Sequence, residues 1–242
     1  MVEIFMAGRA SAGFTPVISV LRRRRWLPVT VGYVFLLVVI TMVLAADNES
    51  DAERVIAQSS TNLHNLLNGH VGTLFSSAFV IGDTDSALTS VPLFACLLAL
   101  VELRLGALHT VRIFLTGHIG ATLVVAVGLW VAVSQHWLPA SVGFAEDVGI
   151  SYGAMALFGS LVALVPEKFQ VVWATVWLAI AVEGVVGGET FTNVGHLVSY
   201  CIGLAIGVVM INRGVSMRHR PTALDLVLLS CAGLLAGTFM SA

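Results

Sequence analysis

The chain has 242 residues, 57% of them hydrophobic and only 11% charged. A soluble domain of this length carries about a quarter charged residues, so composition argues against a soluble enzyme. A formal net charge of −2 offers nothing to a nucleic acid. The apolar residues run unbroken for about 18 residues or more at a stretch, which is the mark of membrane-crossing helices.

Residues 1–25 form a short N-terminal segment, and 26–242 read as a single transmembrane domain. The first predicted span covers about Trp26–Ala46. Its apolar run is too long, and starts too far along the chain, for a cleavable signal peptide. A stretch from about Asp47 to Thr89 follows. It contains the shorter apolar run Val71–Ile81, of the kind that lies in a membrane interface, and reads as a folded cap. His64 and His70 fall here and are expected to hydrogen-bond nearby backbone rather than bind metal. The second to seventh spans are expected at about Leu88–Gly106, Thr110–Val133, Val148–Val165, Phe169–Gly187, Asn193–Asn212 and Ala223–Met240. Short turns at 107–109 and 166–168 make the helices they join antiparallel neighbours. Cys96, Cys201 and Cys231 sit inside apolar runs without a CxxC pair and read as small packing residues.

Charge fixes the orientation. If seven helices alternate, Arg9, Arg22 to Arg25, Arg104, Arg112, Lys168, Arg213, Arg218 and Arg220 fall on one side, and only Arg54 on the other. The opposite loops carry Asp47, Glu49, Asp51, Glu53, Asp83, Asp85, Glu146, Asp147 and Glu189. The positive-inside rule then makes the N-terminus cytoplasmic and the C-terminus external.

Ionisable groups inside spans are costly and are candidates for function. They are few: Glu102, His118, Glu183 and His196, with Asp147 at the mouth of the fourth span. The fourth and sixth spans run in the same direction. Ser151 lies four residues beyond Asp147, and His196 three beyond Asn193. At 1.5 Å per residue each is about 5–6 Å below its helix mouth. A hydroxyl and an imidazole at matching depth on adjoining helices suit nucleophilic catalysis, in which the imidazole takes the hydroxyl proton. His196, Ser199, Gly203 and Gly207 share one helical face, and small residues there favour close contact with another helix. His118 falls about 22 Å below the outer end of its span, too deep for Ser151, and reads as a structural hydrogen-bonder. The Gly149-Ile150-Ser151-Tyr152-Gly153 run matches G-x-S-x-G, but a soluble hydrolase elbow needs a strand before it.

These residues resemble the rhomboid family of intramembrane serine proteases. GISYGAMALFG, Gly149 to Gly159, is similar to the family's serine motif opening its fourth helix, with Gly159 eight residues after the serine. NVGHLVSYCIG, Asn193 to Gly203, is similar to its histidine motif, with Gly203 seven residues on. Leu74-Phe75-Ser76-Ser77-Ala78-Phe79 and Glu102-Leu103-Arg104-Leu105-Gly106 resemble the stretches before and at the end of its second helix. The resemblance covers about 59–212. It implies an all-α membrane bundle with a six-helix core, extended here by a C-terminal helix at about 223–240. Ser151 would be the nucleophile and His196 the base, with Gly149, Tyr152, Asn193, Asp147 and His70 as candidates around them. It implies no cofactor and no metal. Its substrates would be single-pass transmembrane proteins entering laterally near the second and fifth helices, in the lipid bilayer of a bacterial inner membrane.

The departures matter. Tyr152 stands where the family has glycine, so a phenol is expected to alter the oxyanion site or substrate entry. The positions of its second-helix His and Asn map to Ser86 and Ser90, and Thr73 replaces an arginine. Asp147 either caps the fourth helix or polarises His196, and His70 is a candidate to fold over the site. Two alternatives stand beside the peptidase: an inactive relative that binds transmembrane clients, and a small proton or ion transporter using Asp147, Glu183, His118 and His196.

Overall fold

The structure is a computed structural model that describes residues 26–188, 190–215 and 222–241. Arg9, Arg22 to Arg25, Glu189, Arg218 and Arg220 lie outside the described residues. The chain forms α1 (Pro28–Ala46), α2 (Glu49–Ser59), α3 (Leu63–Leu67), α4 (Thr73–Ser76), α5 (Thr84–Leu105), α6 (Ala107–Ser134), α7 (Ser151–Ser160), α8 (Glu167–Gly188), α9 (Phe191–Asn212) and α10 (Ala223–Ser241). Three short 3-10 turns cover Ser77–Phe79, Ala140–Phe144 and Leu161–Leu164. The protein is a polytopic membrane bundle: α1, α5, α6, α8, α9 and α10 are each long and apolar enough to cross a membrane.

The fourth span differs from its expected extent. It does not start at Val148; the helix begins at Ser151 and tightens into a 3-10 turn after Ser160. At 1.5 Å per residue, Ser151–Leu164 measures about 21 Å, short of the ~30 Å hydrocarbon layer. A short span is tolerable because protein surrounds it, with every residue from Tyr152 to Val165 buried. Irregular backbone is allowed at membrane depth only inside protein or along a cavity, and residues 145–150 lead into α7 in that way. Ser151 is therefore the first residue of its helix. No turn of this helix stands above it, and the irregular residues 145–150 lead into it instead.

Glycines set how closely α7 is gripped. A Cβ on Gly203 would run into the Ala156 backbone, one on Gly159 into the backbone of Tyr200 and Leu204, and one on Gly117 into Ala156. The shared face of His196, Ser199, Gly203 and Gly207 is buried, and Ser199 Oγ donates to the Tyr152 carbonyl. Backbones this close gain dispersion and shield each other's polar groups, which is how membrane helices associate.

At the end carrying the basic residues, Glu102 is buried and accepts from the Val29 and Thr30 amides (3.1 and 2.8 Å) and the Thr30 hydroxyl (2.7 Å). It thus supplies the N-terminus of α1 with the acceptors a helix start lacks. Arg104 pairs with Asp225 of α10, and Asp225 also accepts from the Thr222 amide at 2.8 Å. At the acidic end, Val71–Ile81 does not simply lie in the interface: Thr73, Ser77, Ala78, Val80 and Ile81 are buried in the protein. Tyr33 donates to the Ala78 carbonyl at 2.5 Å, which pins this cap onto α1. Helix α10 lies against both α5 and α8, with Ala232, Leu235, Ala236 and Met240 fully covered. Gly184 of α8 leaves room for the Met240 carbonyl.

Candidate active site

The Ser151 turn is built from the cap upward. Gly149 has φ of +126°, a conformation open to glycine at little cost. Its amide donates to the Ser77 carbonyl at 2.9 Å. That bond fixes where α7 begins. No side chain caps the helix, so the amides of its first turn have no helical acceptor and the positive end of the helix dipole lies at Ser151.

His196 is carried by α9, whose start is set by Thr190: its hydroxyl accepts from the Asn193 amide at 3.3 Å. Asn193 Nδ2 donates to the Gly184 carbonyl at 2.9 Å, which ties α9 to α8 rather than pointing an amide at Ser151. Ser151 and His196 line one open cavity of about 420 Å³ together with Gly149, Ser86, Ser90 and Phe239. Ser151 is half-buried, while His196 is 3% exposed. Neither imidazole nitrogen closes a hydrogen bond, although the Phe239 backbone lies near enough to act on the ring electrostatically, and no hydrogen bond joins the pair. The ring is held by shape instead. Phe239 stacks on it at 5.7 Å and 25°, and Tyr152 meets it edge-on at 5.7 Å and 79°.

The other candidates fall as follows. Tyr152 is buried but does not line the cavity. Its ring fills the space left by Gly195 between α7 and α9, so it sits beside the imidazole rather than across the expected entry. Ser86 and Ser90 reach the cavity wall: the Ser90 hydroxyl donates to the Ser86 carbonyl at 2.5 Å, and the Ser86 amide donates to the Asp83 carboxylate at 2.7 Å, with the Ser86 hydroxyl near enough to act on the same carboxylate. Those bonds hold the Asp83 carboxyl below its usual range.

Asp147 neither caps α7 nor reaches His196. Its amide donates to Ser60 Oγ at 2.8 Å, and its carbonyl accepts from the Thr61 amide and hydroxyl, both at 3.0 Å. Burial raises its carboxyl to about 6, while the Tyr152 and Thr61 hydroxyls pull the other way. The Tyr152 hydroxyl is near enough to act electrostatically but does not close a hydrogen bond. His70 is exposed and lies outside the cavity wall; the cap turns it away from the site. Glu183 is exposed on α8.

His118 does not line the Ser151 cavity and acts as the expected structural hydrogen-bonder, with Ser77 Oγ of the cap 3.1 Å from its Nε2. A buried chain then runs from His118 through Ser77 and Thr61 (3.5 Å) to the Asp147 carboxyl (3.4 Å). Phe239 is the neighbour that the sequence does not announce, because nothing local in the seventh span marks it as a partner of His196. Among the described residues no three His, Cys, Asp or Glu side chains are gathered for a metal ion.

Six membrane-length apolar helices packed around the short buried α7 define a class, polytopic helical membrane proteins, and Ser151 and His196 line one cavity of this one. The family model described as rhomboid-like protein matches residues 23–216, and the chain belongs to that family. Comparisons with curated proteins and with solved structures each find no match.

Proposed function

We propose that this rhomboid-like protein is an intramembrane serine peptidase acting on single-pass transmembrane proteins. The acidic end would face outward from a bacterial inner membrane, as the positive-inside rule suggests. One observation carries the reading: Ser151 and His196 line the same cavity, and both imidazole nitrogens are free of hydrogen bonds. A buried polar group without a partner costs about 1–3 kcal/mol. A chain that keeps such an imidazole beside a serine gains no stability from it, which favours a chemical role.

The chemistry follows from the geometry. Ser151 Oγ attacks the scissile carbonyl carbon while His196 takes its proton. The oxyanion that forms meets the uncapped first-turn amides of α7, since the Ser90 hydroxyl is committed to the Ser86 carbonyl. The imidazolium then protonates the leaving amine as the C–N bond breaks. Water, deprotonated by His196, hydrolyses the acyl-enzyme and regenerates both groups. Hydrogen bonds of this kind tighten when substrate binds and are often open without it.

Access involves α10. It occupies the space between α5 and α8, and its Phe239 covers His196, so a transmembrane client approaching between those helices displaces the end of α10. Cys96 of α5 and Cys231 of α10 are close neighbours and give a handle on this step.

The test is cleavage of a model transmembrane substrate in liposomes, alongside labelling with a fluorophosphonate probe. Ser151→Ala abolishes both, and His196→Ala lowers cleavage about 10²–10⁴-fold, the usual contribution of a general base. Cross-linking Cys96 to Cys231 slows cleavage but spares labelling by the small probe. Cleavage undiminished in Ser151→Ala sinks the assignment. The committed Ser90 hydroxyl favours a second reading, a client-binding relative without catalysis. It predicts no labelling of Ser151 with client capture intact.

A further inference from the structure

We propose that the basic end of the bundle carries a binding site for one anionic phospholipid, in a groove between α6 and α9 remote from the cavity of Ser151. The groove encloses about 640 Å³, and four cationic or potentially cationic side chains line it: Arg104, His109, Arg112 and Arg213. Its walls are apolar, with Ile113 of α6 and Ile206 and Val209 of α9 prominent. His109 and Arg112 stand in the first two turns of α6, and Arg213 is the residue that ends α9. The charges therefore sit at helix ends, level with lipid headgroups, and the apolar walls continue towards the acyl layer.

The cations are available. His109, Arg112 and Arg213 are exposed, and among the described residues none of them forms an ion pair. Arg104 is held in place by Asp225 and anchors one side of the groove. Helix α6 begins without a side-chain cap and with no acidic residue in its first turn. The positive dipole end of α6 is opposed there by the negative C-terminal ends of α5 and α9, so the positive field of the groove comes from its arginines. A free phosphate would satisfy the arginines and leave the apolar walls uncovered. A zwitterionic lipid would cover the walls and bring a competing cation to the arginines. A lipid with a net negative headgroup matches both halves, and basic pockets between membrane helices are where such headgroups bind.

The experiment uses the full chain in a zwitterionic detergent, with native mass spectrometry to count bound lipid and a melting curve to follow stability. The ligands titrated are phosphatidylglycerol, phosphatidylcholine and sodium phosphate. Phosphatidylglycerol binds at least tenfold more tightly than phosphatidylcholine, and sodium phosphate at the same concentrations does not bind. The exposed pair Arg112→Gln with Arg213→Gln lowers that preference tenfold or more. Ala205→Trp, which fills the groove while leaving its charges, weakens phosphatidylglycerol binding and decides the matter if the double variant misfolds. Equal binding of the two lipids, phosphate binding as tight as phosphatidylglycerol, or binding unchanged in a folded variant would each overturn the site.

Discussion

Glu102 at the basic end and His196 at the acidic end are buried alike, at 4% and 3% exposure. Glu102 accepts three hydrogen bonds, whereas His196 makes none. The same contrast extends to their neighbours. Arg104 and Asp225 satisfy each other, but Tyr152 Oη, Asn193 Oδ1 and His118 Nδ1 are all unpartnered. Paired polar groups fasten helices where water is absent. Unpaired ones cost stability and persist where something else requires them. Glu102, Arg104 and Asp225 thus hold α1, α5 and α10 together at the basic end, where Trp173 Nε1 is left unpartnered, while His196 at the acidic end stays without a hydrogen bond.

Four experiments test this contrast. The largest effect is expected from Glu102→Ala. It strands two amides and a hydroxyl in a buried place and lowers stability by about 3–5 kcal/mol, read from unfolding in detergent. Gly203→Ala comes next, because its methyl meets the Ala156 backbone; a loss of about 1–3 kcal/mol is expected from overpacking, together with weaker probe labelling as α7 and α9 separate.

Asp147 gives a smaller effect with a definite sign. Its folded-state carboxyl is raised to about 6, so the folded protein holds a proton the unfolded chain has already released. The stability this confers is present below about pH 4 and is lost as pH rises through 6. The melting temperature is expected to fall by a few degrees between those values, and Asp147→Asn to flatten the curve. A wild-type curve that climbs over this range would refute the assignment.

Tyr152→Phe is expected to change least. Its hydroxyl has no partner, so removing it shifts stability by less than about 1 kcal/mol and in the favourable direction. If this change costs as much as Glu102→Ala, the contrast between the two ends fails.

Much of the fold was legible because its signals are local. Apolar runs of about 20 residues placed the long spans to within a few residues, and the spacing of His196, Ser199, Gly203 and Gly207 identified a packing face before its partner was known. The fourth span, expected over Val148–Val165 and found from Ser151 to Leu164, was placed to the same margin, and what hydropathy missed is its surroundings. Hydropathy measures how apolar a segment is, not whether lipid or protein surrounds it, and α7 is sheathed in protein where its helix starts late. Depth counted along a helix kept His118 away from Ser151 and left it a structural hydrogen-bonder; what the count could not name is the partner, Ser77, which lies far off in sequence. Asp147 read as a cap because a carboxylate stands one turn before a helix. Thr61, 86 residues away in sequence, engages it instead.

The sequence by itself determined the membrane class, the segregation of charge between the two ends and the motifs around Ser151 and His196. Each rests on neighbours along the chain or on the 3.6-residue helical repeat. Only the tertiary structure decided that Phe239 covers the imidazole, that Tyr152 turns into the space beside Gly195, and that α10 lies between α5 and α8. Those outcomes depend on which helix faces approach within van der Waals contact. In a chain where nearly every span is apolar all round, hydropathy alone does not choose among them.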